Sequence, residues 1–133
     1  RGMKIFLPLT LDELWAFWDK MPEAGIYAGG TDFMVKLREG VLKPTACICL
    51  ERIPALKDIR EEKDTLLIGA GASHTTLLHH PLILTHAPVL AGGLRVLGSP
   101  LIRNMGTLGG NIATASPAGD TLPALYVLDA QVI

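Results

Sequence analysis

The sequence GIYAGGTDFMVKLREG, at residues 25–40, decides the fold of this 133-residue chain. Residues 25–28 favour a short strand, and the double glycine that follows indicates a turn. After Asp32, apolar side chains recur at helical spacing between charged ones, and Gly40 ends the helix. The pattern therefore predicts a strand, a glycine turn and a helix in succession.

The segments before and after this stretch extend it into a parallel sheet. Residues 5–7 favour a strand, and Thr10 with Glu13 forms a capping box at the start of the next helix. Residues 46–50 favour a third, buried strand. Because strands joined by helices form right-handed parallel units, we expect residues 1–55 to be a small N-terminal α/β subdomain.

The rest of the chain changes character. Residues 56–70 favour a hairpin around a charged turn, and the Gly-, Ser- and Pro-rich stretch at 98–119 favours a loop. Short helices are predicted over residues 73–78, 89–97 and 121–128. We expect residues 56–133 to be a second α+β subdomain, incomplete at its C-terminal end because residues 129–133 resemble the beginning of a strand.

The composition is that of a folded domain. Hydrophobic residues make up 49% of the chain and charged residues 19%, which excludes a disordered protein. The net charge of −1 lacks the basic excess of proteins that bind nucleic acids or anionic membranes. No apolar run approaches the length of a membrane span, and the N-terminus lacks a secretory signal, so a cytoplasmic location is expected.

Charge is distributed unevenly along the chain. Residues 1–64 hold 21 of the 25 charged side chains, and residues 65–133 hold four. A free surface usually carries more charge than this. The second half is therefore expected to face the first half, a ligand, a partner chain or further sequence.

Cysteine and histidine residues give no sign of a metal site. Cys47 and Cys49 are expected to point to one face of a buried strand, as small core residues in a reducing compartment. The spacing of the histidines matches no metal-binding pattern, and we expect them to be surface or loop residues. They are His74, His79, His80 and His86.

Two glycine pairs share a context that favours phosphate binding. The pair at 29–30 joins a strand to a helix, and the pair at 109–110 lies between Thr107 and Asn111. Main-chain N–H groups at such bends can donate to phosphate oxygens. Either bend alone could equally be a tight turn, but two together favour a pyrophosphate ligand. The pair at 92–93 has no polar neighbours and is attributed to close helix packing.

Two further features of the sequence bear on nucleotide binding. Residues 66–71 begin like a dinucleotide fingerprint, but His74 stands where the third glycine is needed, so we interpret them as a strand end. Asp120 precedes a predicted helix. It could cap that helix, hold ligand hydroxyl groups, or do both.

Several motifs together resemble the FAD-binding subunit of the molybdenum hydroxylases, the group of xanthine dehydrogenase, carbon monoxide dehydrogenase and aldehyde oxidoreductase. They are AGGTD at 28–32, GSPLIRNMGTLGGN at 98–111, SPAGD at 116–120 and PAL at 123–125. The resemblance covers nearly the whole chain from Met3 and keeps the motifs in order. It implies an α+β fold of the vanillyl-alcohol-oxidase or p-cresol-methylhydroxylase type, in which FAD lies between two α+β subdomains.

The resemblance also implies which residues contact FAD, and it implies no catalytic residue and no metal ligand in this chain. The first wall of the cofactor site would be Ile26, Tyr27, Ala28, Gly29, Gly30, Thr31, Asp32 and Phe33. The second wall would be Thr107, Leu108, Gly109, Gly110 and Asn111. Asp120 would contact the sugar or ribityl region, and Leu97 would lie on the adenine side.

In the family, electrons pass from [2Fe-2S] clusters in one subunit to FAD and on to NAD⁺ or another acceptor, while a molybdopterin-binding large subunit oxidises the substrate. The resemblance therefore implies an oxidoreductase component with those two partner subunits. One alternative is an FAD-free scaffold of the same fold, because Leu101 stands where the family commonly has glutamine. Another is a stand-alone flavoprotein oxidase, against which no flavin-linking residue is recognisable.

Overall fold

The computed structural model describes residues 2–97, 103, 106–114 and 121–133, without the side chains of Thr31 and Asp32. The strands are β1 (Lys4–Phe6), β2 (Gly25–Tyr27), β3 (Ala46–Cys49), β4 (Ile59–Glu62) and β5 (Thr65–Ile68). The helices are α1 (Leu11–Lys20), α2 (Thr31–Arg38), α3 (His74–His79), α4 (Pro81–His86), α5 (Pro88–Arg95), α6 (Leu108–Thr114) and α7 (Thr121–Val127). A 3-10 helix covers Pro54–Lys57. The described residues form a mixed α+β fold, as predicted.

The N-terminal sheet is parallel and β3 is fully buried, as the sequence predicts. The strand order is β1-β3-β2, with β3 in the centre. On one face, Leu14 of α1 is buried in a cluster with Ile48 and Ile53. Thr10 caps α1 by accepting from the Glu13 amide at 3.1 Å. The Glu13 carboxylate accepts from the Leu9 amide at 2.7 Å, one residue before the expected partner.

Both cysteines are buried and free on β3, as predicted. The Cys47 thiol lies 3.2 Å from the Met3 sulfur. Burial raises the pKa of Cys47, so the thiol stays protonated at neutral pH. This strand therefore acts as packing for the sheet.

The antiparallel hairpin β4–β5 begins three residues later than the predicted strand. Proline at the first position of the 3-10 helix makes the chain turn over Pro54–Lys57, so that the strand starts at Ile59 and pairs with Ile68. After β5 the chain runs against this turn. The Gly71 amide donates to the Leu56 carbonyl at 2.7 Å.

Two helices lie where none was predicted. Pro81 stands at the first turn of α4, where proline is tolerated, and the His80 ring caps the helix by accepting from the Leu82 amide at 3.2 Å. Helix α6 covers part of the stretch expected to be loop. The prediction of close helix packing is wrong at Gly92, because a Cβ there would meet no atom within 4 Å.

The second buried cluster lies among the helices. Helix α5 lies against α3, α4 and α7. The members include Leu77, Ile83, Leu90, Leu94, Leu108 and Ala124. A β-bridge pairs Ser73 with Thr107, which brings the start of α3 to the start of α6. No helix within the described ranges is long and apolar enough to cross a bilayer.

Candidate functional site

A cleft of about 270 Å³ opens at the carboxyl ends of β2 and β3. This edge of an open parallel sheet is where ligands usually bind, because the loops after the strands diverge there. The lining residues are Ala28, Gly29, Leu50, Glu51, Lys57, Gly71, Ala72, Ser73, Thr76 and Thr107. Residues from both predicted phosphate-binding bends, Ala28, Gly29 and Thr107, therefore line one cleft.

The first bend presents main chain to the cleft. Gly30 adopts φ 77°, the left-handed conformation that favours glycine, and its carbonyl accepts from the Met34 amide at 2.8 Å. Tyr27 and Phe33 stack on each other with ring centroids 5.0 Å apart. Ile26 packs into the first buried cluster. The side chains of Ile26, Tyr27 and Phe33 are not among the residues that line the cleft.

Tyr27 is held in its neutral form. Burial raises its pKa to about 12, and the neighbouring Cys49 thiol adds to the shift. A neutral phenol stacked on Phe33 supports the shape of the first bend without adding charge.

The second bend differs from the prediction that its amides are free for phosphate. The Leu108 and Gly109 amides donate to the carbonyls of Ala72 and Ala70, at 3.1 and 2.8 Å. The Gly110 amide donates to the Thr107 hydroxyl at 3.1 Å. These bonds arise because the bend pairs with residues 70–74 and then begins α6. Direct amide contacts to a diphosphate are therefore not available from these residues in this conformation.

Gly109 has a packing role that the sequence did not reveal. A Cβ at this position would lie 2.8 Å from both the Cβ and the carbonyl oxygen of Ala70. Only glycine lets α6 approach the chain after β5 this closely.

The other predicted contacts lie away from the cleft or outside the described residues. Leu108 is buried in the second cluster, and Leu97 packs against it. The Asn111 side-chain oxygen accepts from the buried Thr121 hydroxyl, which ties α6 to α7. Asp120, Leu101 and the side chains of Thr31 and Asp32 are outside the described part of the chain.

Sequence reasoning missed the hydroxyl groups that line the cleft after β5. Ser73 caps α3 by accepting from the Thr76 amide at 3.1 Å, and the two hydroxyl oxygens are 2.9 Å apart. Hydroxyl groups of this kind can donate to the oxygen atoms of a ligand. The sequence signal for this placement is Gly69 and Gly71, which let the chain after β5 pack against Leu56. The interpretation of these glycines as a strand end does not reveal that role.

His74 is buried, with only 3% of the residue exposed, which contradicts the expected surface position. Both ring nitrogens lack a hydrogen-bond partner among the described residues. Burial lowers the pKa of His74, and the main chain of Thr107 partly opposes the shift. Its own amide donates to the Gly106 carbonyl at 3.0 Å.

The cleft fits the phosphate portion of a nucleotide. Its described lining combines small residues, hydroxyl groups, the apolar Leu50 and two side chains of opposite charge, Lys57 and Glu51, and contains no aromatic side chain. Such a surface admits oxygen-rich groups close to the main chain. No cluster of three or more His, Cys, Asp or Glu side chains capable of holding a metal ion occurs in the described part of the chain.

Comparisons with known proteins agree with this chemistry. A family model described as the FAD binding domain in molybdopterin dehydrogenase matches residues 1–133. The nicotinate dehydrogenase FAD-subunit of Eubacterium barkeri is 38% identical over 100% of this chain and 46% of its own length. The carbon monoxide dehydrogenase medium chain of Hydrogenophaga pseudoflava is 35% identical over 79% of this chain and 36% of its own.

Solved structures show the same fold. A carbon monoxide dehydrogenase from Hydrogenophaga pseudoflava superposes with a TM-score of 0.86 at 30% identity, covering 91% of this chain and 42% of that one. Quinoline 2-oxidoreductase from Pseudomonas putida 86 gives a TM-score of 0.83 at 27% identity, covering 87% and 41%. The chain spans less than half the length of these relatives.

Proposed function

Because the chain belongs to the family of FAD-binding domains in molybdopterin dehydrogenases, we propose that it is the FAD-binding electron-transfer component of a molybdenum-containing hydroxylase. Its FAD takes electrons from [2Fe-2S] clusters and passes them to NAD⁺ or another acceptor. The partners are an iron–sulfur subunit and a molybdopterin-binding large subunit. The protein works in the cytoplasm.

The observation that carries this proposal is the shared cleft of Ala28, Gly29 and Thr107. These residues belong to the two walls that the sequence motifs predict. Their common lining supports a single ligand held between subdomains at 1–55 and 56–133.

The chain's own residues bind and orient the cofactor. Flavin chemistry, the uptake of single electrons and the release of pairs, comes from the cofactor when it is bound. The main chain of Ala28 and Gly29 allows close approach of the diphosphate, and the Thr107 hydroxyl can donate to it. The Tyr27–Phe33 stack keeps the first bend in shape.

The apolar surface of the second half supports contact with partner subunits. Val96, Tyr126 and Val127 are each more than 70% exposed. Exposed apolar groups together with few charges are typical of a surface that is covered in an assembly.

The test is the absorbance of the purified full-length protein and its titration with FAD. We expect absorbance bands at about 450 and 370 nm, as for oxidised flavin. Ala28→Asp places a carboxylate in the cleft and is expected to abolish FAD binding. Ala16→Asp is the matched control, because Ala16 is exposed on α1.

An FAD-free scaffold remains the second candidate, since the second-bend amides are bonded within the chain. Colourless full-length protein that does not respond to added FAD would favour it and contradict the proposal.

A further inference from the structure

Lys57 is fixed in the cleft by main-chain hydrogen bonds on both sides of it. It ends the 3-10 helix Pro54–Lys57. The carbonyls of its neighbours, Leu56 and Asp58, accept from the amides of Gly71 and Gly69, each at 2.7 Å. Its backbone is therefore held even though its side chain is exposed.

The glycines opposite Lys57 make this arrangement possible. A Cβ on Gly69 would overlap the Leu56 carbonyl oxygen, and a Cβ on Gly71 would lie 3.0 Å from the same atom. These glycines let the 3-10 helix lie directly against the chain after β5. As a result, Lys57 shares a lining with Ser73 and Thr107, which come much later in the sequence.

Among the described residues, the ammonium group of Lys57 has no carboxylate partner, although the hairpin beside it is highly charged. Asp58 and Glu62 both pair with Arg60, at 2.7 and 2.9 Å, and Glu61 lies 3.6 Å from His86. Within the described residues, no carboxylate lies within 4 Å of the Lys57 nitrogen. The other charged residue of the lining, Glu51, is not paired with it either.

A positive charge in this cleft would strengthen the binding of a diphosphate, and Lys57 is the basic residue among the described lining residues. Hydroxyl groups give hydrogen bonds without charge, and the second-bend amides are already bonded. Lysine is an effective phosphate ligand because it acts as a compact point charge. Glu51, in contrast, would repel the same anion.

We propose that Lys57 is the cationic ligand of the FAD diphosphate and that Glu51 weakens the same interaction. This inference rests on the proposed function. It assigns the charge recognition of the cofactor to residues outside both glycine motifs.

The test is titration of the flavin-free full-length protein with FAD and with riboflavin, which has no phosphate. Lys57→Met is expected to weaken FAD binding about tenfold, the effect of a lost charge-assisted contact, and to leave riboflavin binding unchanged. Lys57→Arg keeps the charge and most of the affinity, and Glu51→Gln tightens FAD binding. Lys63→Met, on the exposed hairpin turn, is the matched control.

Salt dependence gives a second measure. FAD affinity of the unmodified protein should fall with ionic strength more steeply than that of Lys57→Met, because salt screens an exposed charge. Equal FAD affinity and equal salt dependence in the two proteins would overturn the inference. If Lys57→Met does not fold, the FAD affinity of Glu51→Gln tests the inference instead. Unchanged FAD affinity in that variant overturns the inference. Failure of the unmodified protein to bind FAD would instead refute the proposed function.

Discussion

At the scale of single residues, His74 is a buried side chain whose two ring nitrogens lack a hydrogen-bond partner among the described residues. Its backbone lies beside the bridge between Ser73 and Thr107, and its amide donates to the Gly106 carbonyl at 3.0 Å. Burying a charged imidazolium there would be costly, which keeps the ring neutral and lowers its pKa. The stability of the contact between residues 73–74 and 106–107, which we call the seam, therefore depends on the protonation of His74.

We expect the unfolding free energy to fall as the pH drops below about 6.5, the ordinary pKa of histidine. The pKa of His74 is lower in the folded protein, so the unfolded chain binds more protons in that window. The contribution of neutral His74 to folding stability is complete above about pH 6.5 and is lost as the pH falls towards the pKa of His74 in the folded protein. Urea unfolding between pH 5 and 8 measures it. His74→Gln should flatten the dependence relative to the exposed-site control His79→Gln, and identical profiles would contradict the prediction.

At the scale of elements, the parallel sheet could be predicted because its signals are local. The Thr10 cap, the apolar spacing of α1 and the buried run of β3 each lie within a few residues. Helix α6 could not be predicted in the same way. Its first turn contains the glycine pair, and its anchors are the carbonyls of Ala70 and Ala72, far away in sequence.

The two glycine-containing helices are expected to respond oppositely to alanine. Gly109→Ala should destabilise the protein by about 1–3 kcal/mol, because the new Cβ collides with Ala70. Gly92→Ala should stabilise it by about 0.5–1 kcal/mol, since alanine favours helix and the site is open. Thermal unfolding of both variants measures the contrast. Equal effects would show that the packing of α6 against Ala70 is not tight.

At the scale of the whole molecule, the cleft was only partly predictable. Ala28, Gly29 and Thr107 belong to recognisable motifs, whereas Lys57, Ser73 and Thr76 reach the cleft through tertiary hydrogen bonds of Gly69 and Gly71. Those two glycines look like an ordinary strand end in the sequence. Only the folded chain shows that they bring distant residues together.

The exposed end of α7 is expected to matter in the assembled complex. Tyr126 and Val127 are 84% and 76% exposed, so replacing both with serine should cost little folding stability and weaken assembly with the partner subunits. Size-exclusion chromatography of the co-expressed complex measures this. Val41→Ser, at an exposed site in the first half, is the control. Undiminished assembly of the double variant would remove this surface from the interface.

The bridge between Ser73 and Thr107 joins two residues that lie far apart in the sequence. A nucleotide that contacts both Ala28 and Thr107 would add a link between distant parts of the chain and stabilise the folded form when it binds. The ligand-free polypeptide should open first at this seam, and its main-chain hydrogens around residues 106–109 should exchange with deuterium sooner than those of β3. Cofactor supply would then govern how long newly made protein survives cellular proteases.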